Sequence, residues 1–272
     1  AFRILRPMLK YVGLILSDAA GLVRVCGASV AFRWLLKVLT NFGACRREGN
    51  LQPADRAMGE GPFVCTHRSG AKAKISGPQA ISGIREIWVR DVYLEGGFLT
   101  LPREGVVVDL GANMGNFSML ALGAGPGVRV VSVEPERMYA EGRLLNQLRV
   151  NGWESRCTIV NAFVGGTTAA QQEIETSGTG GGVPHLTEAE FVERAGITDR
   201  IDLLKCDIEG SEFDLLRPGS RILAITRQIA MEAHKDRGDV QALYKTLEAA
   251  GFEVRIVRSS PNDDIVQARK RA

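Results

Sequence analysis

The segment Val106-Val107-Val108-Asp109-Leu110-Gly111-Ala112-Asn113-Met114-Gly115-Asn116-Phe117 constrains the chain more than any other. A short apolar run reads as a buried strand; it ends in an acid, turns through glycines and passes into a helical pattern. In an α/β fold such a turn lies where a nucleotide-like ligand meets the carboxyl end of the first strand. Gly111 and Gly115 allow close approach of backbone to ligand. The spacing is D-x-G-x-x-x-G rather than the G-x-G-x-x-G that cradles a pyrophosphate. An acid at this strand end repels phosphate and suits a ligand carrying a cationic amino-acid group.

The chain has 272 residues, enough for one large α/β domain and an accessory segment. A formal charge of +3 is too small to argue for a nucleic-acid partner. Cys26, Cys45, Cys65, Cys157 and Cys206 are scattered, odd in number and without C-x-x-C spacing. That pattern argues against a disulfide framework or a zinc site and suits a reducing, cytoplasmic compartment.

Residues 1–83 read as a helical N-terminal extension and junction, and residues 84–272 as the main domain. Up to about residue 48, apolar positions such as Phe2, Leu9, Ile15, Phe32 and Leu36 are interrupted by Lys10, Asp18, Arg24, Arg33 and Lys37. No uncharged run reaches the roughly 18–20 residues of a spanning helix, and a secretory signal is a poor match. Amphipathic helices fit better. They would serve as a cap or lid, a homodimer interface, or a peripheral membrane contact. Phe63-Val64-Cys65 and Ala73-Lys74-Ile75 read as a short hairpin between Gly- and Pro-rich turns.

From residue 84 helices and strands alternate. Helices are expected over 84–96, 114–123, 136–150, 187–195, 211–217 and 239–250. Strands are expected over 105–109, 128–133, 157–163, 201–206, 222–231, 252–258 and near 264–268. Such alternation implies a Rossmann-like, mostly parallel seven-stranded sheet with helices on both faces. Right-handed crossovers then gather the loops of interest on one edge.

S-adenosylmethionine, a sulfonium amino acid, meets the demand set by Asp109, and the D-x-G-x-x-x-G pattern is similar to that of class I methyltransferases. The expected cofactor residues are Asp109, Gly111, Asn113, Gly115, Asn116 and Phe117, with Asn113 and Asn116 open to helix capping instead. A second apolar strand ends in Glu134-Pro135, about 25 residues later, where a carboxylate can accept both ribose hydroxyls. Ala162, at the end of the third strand, is a candidate wall for the adenine ring, and Asp207 faces the same ligand.

The strand Leu203-Leu204-Lys205-Cys206 ends in Asp207-Ile208-Glu209-Gly210-Ser211-Glu212. Asp207 and Glu209 are expected to face the site, and Glu212 to act as a structural acid early in the next helix. Glu232 and His234 share a side of the following strand. The expected catalytic set is therefore His234, Asp207, Glu209 and Glu232. Histidine near neutral pKa is the economical base for deprotonating a hydroxyl, and in-line transfer gains from orientation. Asp207, Glu209 and Glu232 could also hold Mg or Mn, although the same residues work without a metal, which is not favoured.

The quoted segments at 108–117, 133–135, 204–212 and 232–234, with the helix at 187–191 before the fourth strand, resemble the FkbM family of S-adenosylmethionine-dependent methyltransferases over roughly 84–260. The resemblance implies O-methylation of a hydroxyl on a sugar, glycolipid or polyketide-type natural product. N- or carboxyl-methylation, a non-catalytic cofactor-binding protein and a nicotinamide-dependent oxidoreductase are the rivals; the last lacks its G-x-G-x-x-G. The glycine-rich stretch 177–182 reads either as a substrate loop or as a connector.

Overall fold

The computed structural model describes residues 2–166, 172 and 182–271, and the chain divides into two compact units, 1–91 and 92–272. Most of the glycine-rich stretch 177–182 lies outside the described residues.

The first unit begins with α1 (Phe2–Cys26), α2 (Ala28–Thr40), α3 (Phe42–Glu48) and α4 (Gln52–Arg56). Gly27, at φ 90°, breaks the long helix into α1 and α2. Leu22 and Val25 of α1 and Ala31, Trp34 and Val38 of α2 recur at helical spacing and are buried. The hairpin is β1 (Phe63–Thr66) paired antiparallel with β2 (Lys72–Ile75), as the two short runs between Gly- and Pro-rich turns implied. Then come α5 (Ala80–Gly83) and a π-helical turn, Ile84–Val89.

The boundary between the units falls after Asp91 rather than at residue 83. Arg85 is the reason. It is buried, donates to Asp18 of α1 at 3.0 and 2.8 Å and also pairs with Asp55 of α4. Trp34 Nε1 donates to the same Asp55 at 2.7 Å. A Cβ on Gly21 of α1 would lie 2.0 Å from the Val89 side chain, so the π-helical turn belongs to the helical unit. All five cysteines are free thiols, yet folding brings Cys26 Sγ within 3.5 Å of Cys65 Sγ.

The second unit is built on β3 (Glu104–Leu110), β4 (Gly127–Val133), β5 (Cys157–Val160), β6 (Phe163–Val164), β7 (His185–Leu186), β8 (Leu203–Cys206), β9 (Gln228–His234), β10 (Phe252–Ser259) and β11 (Asp263–Lys270). Among the described residues, seven of these form one sheet in the order β10-β11-β9-β8-β3-β4-β5. The β8–β9, β8–β3, β3–β4 and β4–β5 pairs are parallel; β11 runs antiparallel to both its neighbours. Val107, Val108, Leu203 and Leu204 are fully buried, as expected of parallel strands covered on both faces. The helices are α6 (Asn116–Leu122), α7 (Leu145–Asn151), α8 (Glu188–Arg194), α9 (Glu212–Leu215), α10 (Arg221–Ile225) and α11 (Val240–Ala249).

Three expected elements are corrected. The apolar run at 222–225 is the helix α10, started by Ser220 Oγ accepting from Leu223 N, and the strand begins only at Gln228. The third strand stops at Val160: Asn161 Nδ2 donates to the carbonyls of Glu134 and Pro135, each at 2.8 Å, and the chain leaves the sheet to form β6 with β7. The helix expected over 84–96 is only the π-helical turn, followed by a separate short 3-10 turn at Glu95–Gly97 in which Gly96 has φ 79°.

Candidate active site

The ends of β3, β4, β8 and β9 meet on one edge, and the strand order reverses between β3 and β8. Open α/β sheets bind ligands at this switch point. The turn after β3 is fixed by its own backbone, since Gly111 N and Ala112 N donate to Val133 O at 3.0 and 2.9 Å. Gly111 has φ 73°, and a Cβ there would stand 1.9 Å from the Asp207 carbonyl oxygen. Only glycine allows this approach of β3 to β8.

A cleft over this edge is lined by Gly111, Asn113, Val133, Glu134, Pro135, Glu136, Ala162, Phe163, Val164, Asp207, Ile208 and Glu209. Glu134 is 5% exposed, and its carboxylate accepts from Asn113 N at 2.7 Å and Glu136 N at 2.8 Å. Burial raises its pKa to about 7 against the pull of those two amides. Phe163 stacks on His185 with centroids 4.6 Å apart, giving the wall beside Ala162 a flat apolar surface.

Asp109, Gly115, Asn116 and Phe117 do not line the cleft. Asp109 is wholly enclosed; Ser118 Oγ donates to it at 2.6 Å and Lys205 Nζ stands 3.4 Å away. Its charge is thus offset by Lys205. A Cβ on Gly115 would sit 2.3 Å from Leu144, so that glycine serves helix packing. Phe117 meets Tyr93 edge to face at 5.8 Å, and the Tyr93 hydroxyl donates to Asp207 Oδ2 at 2.9 Å. Asn116 Oδ1 is buried with no hydrogen-bond partner among the described residues.

Lys205 is a buried ammonium in an otherwise apolar strand. It donates to the carbonyls of Leu110 at 3.0 Å and Gly111 at 2.7 Å and lies 3.9 Å from Asp207. Burial pulls its pKa down, but Asp109 and Asp207 more than offset this and hold it above the ordinary value. A lone lysine between Leu204 and Cys206 is the sequence signal for such a pairing.

At the end of β9, His234 Nδ1 donates to Glu212 Oε1 at 2.9 Å. Glu212 is fully buried, and its other oxygen accepts from Gly210 N at 2.8 Å. His234 Nε2 faces Glu209 at 3.6 Å and Asp207 at 4.0 Å. Burial lowers the imidazole pKa, but Glu212, Asp207 and Glu209 outweigh it and lift it to about 9. The expectation of a near-neutral histidine is corrected: three acids surround it. Glu212 is more than the structural acid expected, since it fixes the ring. Glu232 stands outside the convergent group, two residues back from the strand end. Asp207, Glu209 and His234 offer ligand atoms within 4.8 Å of one another, a geometry able to gather a cation.

The donor set fits S-adenosylmethionine. The Glu134 carboxylate suits ribose hydroxyls, the Ala162–Phe163 wall suits a planar ring, Asp207 suits an ammonium, and the Gly111 turn is a cradle that a side chain would fill. Fold and site define a class I S-adenosylmethionine-dependent methyltransferase. The protein-family model for the methyltransferase FkbM domain matches residues 109–254, and the chain belongs to that family.

Two solved structures and one curated protein are similar to parts of this chain. The FkbM methyltransferase of Methylobacillus flagellatus is 18% identical, with TM-score 0.48 over 70% of this chain and 54% of that one. The precorrin-6y C5,15-methyltransferase of Geobacter metallireducens is 17% identical, with TM-score 0.44 over 67% and 87%. The AMB antimetabolite synthetase AmbE of Pseudomonas aeruginosa is 29% identical over 225 residues, taking in 63% of this chain. The match takes in about 10% of that synthetase.

Proposed function

We propose that the chain methylates a hydroxyl of a small-molecule acceptor of the sugar, glycolipid or polyketide type. One observation carries this reading: His234 has Nδ1 fixed by buried Glu212 and Nε2 turned toward Asp207 and Glu209 beside the cleft. A hydroxyl must lose its proton to become a good nucleophile, and an imidazole with one nitrogen held presents the other as acceptor.

When bound, S-adenosylmethionine supplies an electrophilic methyl group. Glu134 holds the ribose hydroxyls, Ala162 and Phe163 the ring, and Asp207 with the Asn113 turn the amino-acid end. Phe117, Gly115 and Asp109 keep the turn in place. Asp207 and Glu209 orient the acceptor and stabilise the imidazolium once Nε2 has taken the proton. Neutral His234 is the active form, so the reaction gains as pH rises toward about 9. The name of AmbE places that protein in antimetabolite synthesis, which favours a natural-product acceptor here. The proposed reaction needs no divalent cation and takes place in the cytoplasm.

A panel of hydroxyl, amine and carboxyl acceptors, incubated with labelled cofactor with and without chelator, tests the reading. Alkali-stable methyl ethers formed in both conditions are expected. Transfer confined to amines or carboxylates overturns the hydroxyl assignment, and transfer abolished by chelator overturns the metal-free one.

A further inference from the structure

Outside the site, the least explained surface lies on the helical unit. α1 leaves Val12, Leu16 and Val23 exposed at spacings of four and seven, which puts them on one stripe of the helix. α2 does the same with Phe32, Leu36 and Leu39 at spacings of four and three. Phe32 is 69% and Leu39 72% exposed, far more than packing against the buried face of α2 would leave. Aligned large apolar side chains in water mark an interaction surface rather than scattered exposure.

Charge says what covers it. From Val12 to Arg47 the one acid is Asp18, which is 1% exposed and consumed by Arg85 and Arg90. The other charged side chains of this stretch are Arg24, Arg33, Lys37, Arg46 and Arg47, all positive. Arg33 and Lys37 flank the apolar stripe of α2, within one turn of Phe32 and Leu36. Apolar side chains bordered by basic ones match the boundary between acyl chains and anionic headgroups. A second copy of the same face would bring like charges together. No described helix is long and apolar enough to cross a membrane, so the fitting geometry is a helix lying in the interface.

We propose that the exposed stripes of α1 and α2 dock this chain on the surface of an anionic bilayer. The apolar side chains enter the headgroup boundary, and the five basic residues hold the lipid charge. The inference is independent of the acceptor and of the chemistry at His234, so it stands or fails apart from them.

The test is co-sedimentation of the full chain with vesicles of phosphatidylcholine alone and of a one-to-one mixture with phosphatidylglycerol. Binding to the anionic vesicles is expected to exceed that to the neutral ones by at least about tenfold and to weaken as salt is added. Phe32→Ser with Leu39→Ser should abolish binding to both. Lys37→Glu should cost roughly fivefold or more on the anionic vesicles alone. Phe32 and Leu39 are exposed and Lys37 is half-buried, so thermal unfolding is expected to match the parent and separate lost docking from lost folding. Two results overturn the proposal: no enrichment on anionic vesicles, or a dimer in sedimentation velocity that Phe32→Ser with Leu39→Ser converts to monomer.

Discussion

Glu212 Oε1 accepts two hydrogen bonds from one residue, the ring Nδ1–H of His234 at 2.9 Å and its backbone N–H at 3.0 Å. The acid therefore sets both the position of the strand end and the orientation of the imidazole. Hydrogen bonding to the charged ring favours protonation. Replacing His234 by Ala should lower turnover by at least about 100-fold while leaving cofactor affinity within a few-fold. Glu212→Gln should move the rise of the pH–rate profile to lower pH, because a main support of the imidazolium is gone. Steady-state rates from pH 6 to 10 check both; an unshifted profile in Glu212→Gln removes the assignment.

The same pair links stability to pH. His234 is raised in the folded chain from an ordinary 6.5 to about 9. Its stabilisation is complete below the unfolded value and disappears as pH rises through the folded one. Tm should fall from pH 7 to pH 10 more steeply in the parent than in His234→Gln. Calorimetric scans across that range measure the difference.

Glu134 works in the opposite sense. Burial holds its pKa at about 7, so near neutrality a substantial fraction is protonated. Ribose hydroxyls donate to the ionised form, and affinity for S-adenosylhomocysteine should rise with pH through 7. Glu134→Gln should bind at least about tenfold more weakly, with a flatter pH dependence. Titration calorimetry in buffers of different ionisation enthalpy would also register proton release on binding at pH 6.

Asp109→Ala is expected to act on the fold rather than on the ligand. It removes one partner of Lys205 and leaves a buried ammonium under-compensated, at a cost of about 3–5 kcal/mol. Denaturant unfolding measures this. Full stability with lost cofactor affinity would instead put Asp109 in direct contact with the ligand.

Gly111 and Gly152 form a matched pair. Both have positive φ, 73° and 69°, but only at Gly111 would a Cβ meet another atom, the Asp207 carbonyl at 1.9 Å. Gly152→Ala should cost about 1 kcal/mol of backbone strain. Gly111→Ala should cost several times that and abolish cofactor binding, as read by unfolding and equilibrium binding of S-adenosylhomocysteine.

Strand ends were the legible part of this chain. Asp109, Glu134, Asp207 and His234 each close or follow an apolar run, and parallel strands put such positions on one edge. What the sequence hid is tertiary. The partners of Asp109 are Ser118 and Lys205, and Glu212 reaches His234 across 22 positions; periodicity carries no information about either. Tyr93 contacts Asp207 from outside every recognised motif. The apolar run at 222–225 suited a strand and a helix equally, and the cap at Ser220 decided between them.

Lys205 touches both carbonyls of the Gly111 turn and stands between the carboxylates of Asp109 and Asp207. One ammonium thus rivets the end of β8 to the turn that follows β3. Loops that select an acceptor can be rebuilt above that rivet without disturbing it. Durability and selectivity are assigned to different residues, which makes this scaffold a suitable starting point for changing what is methylated while keeping the machinery that methylates.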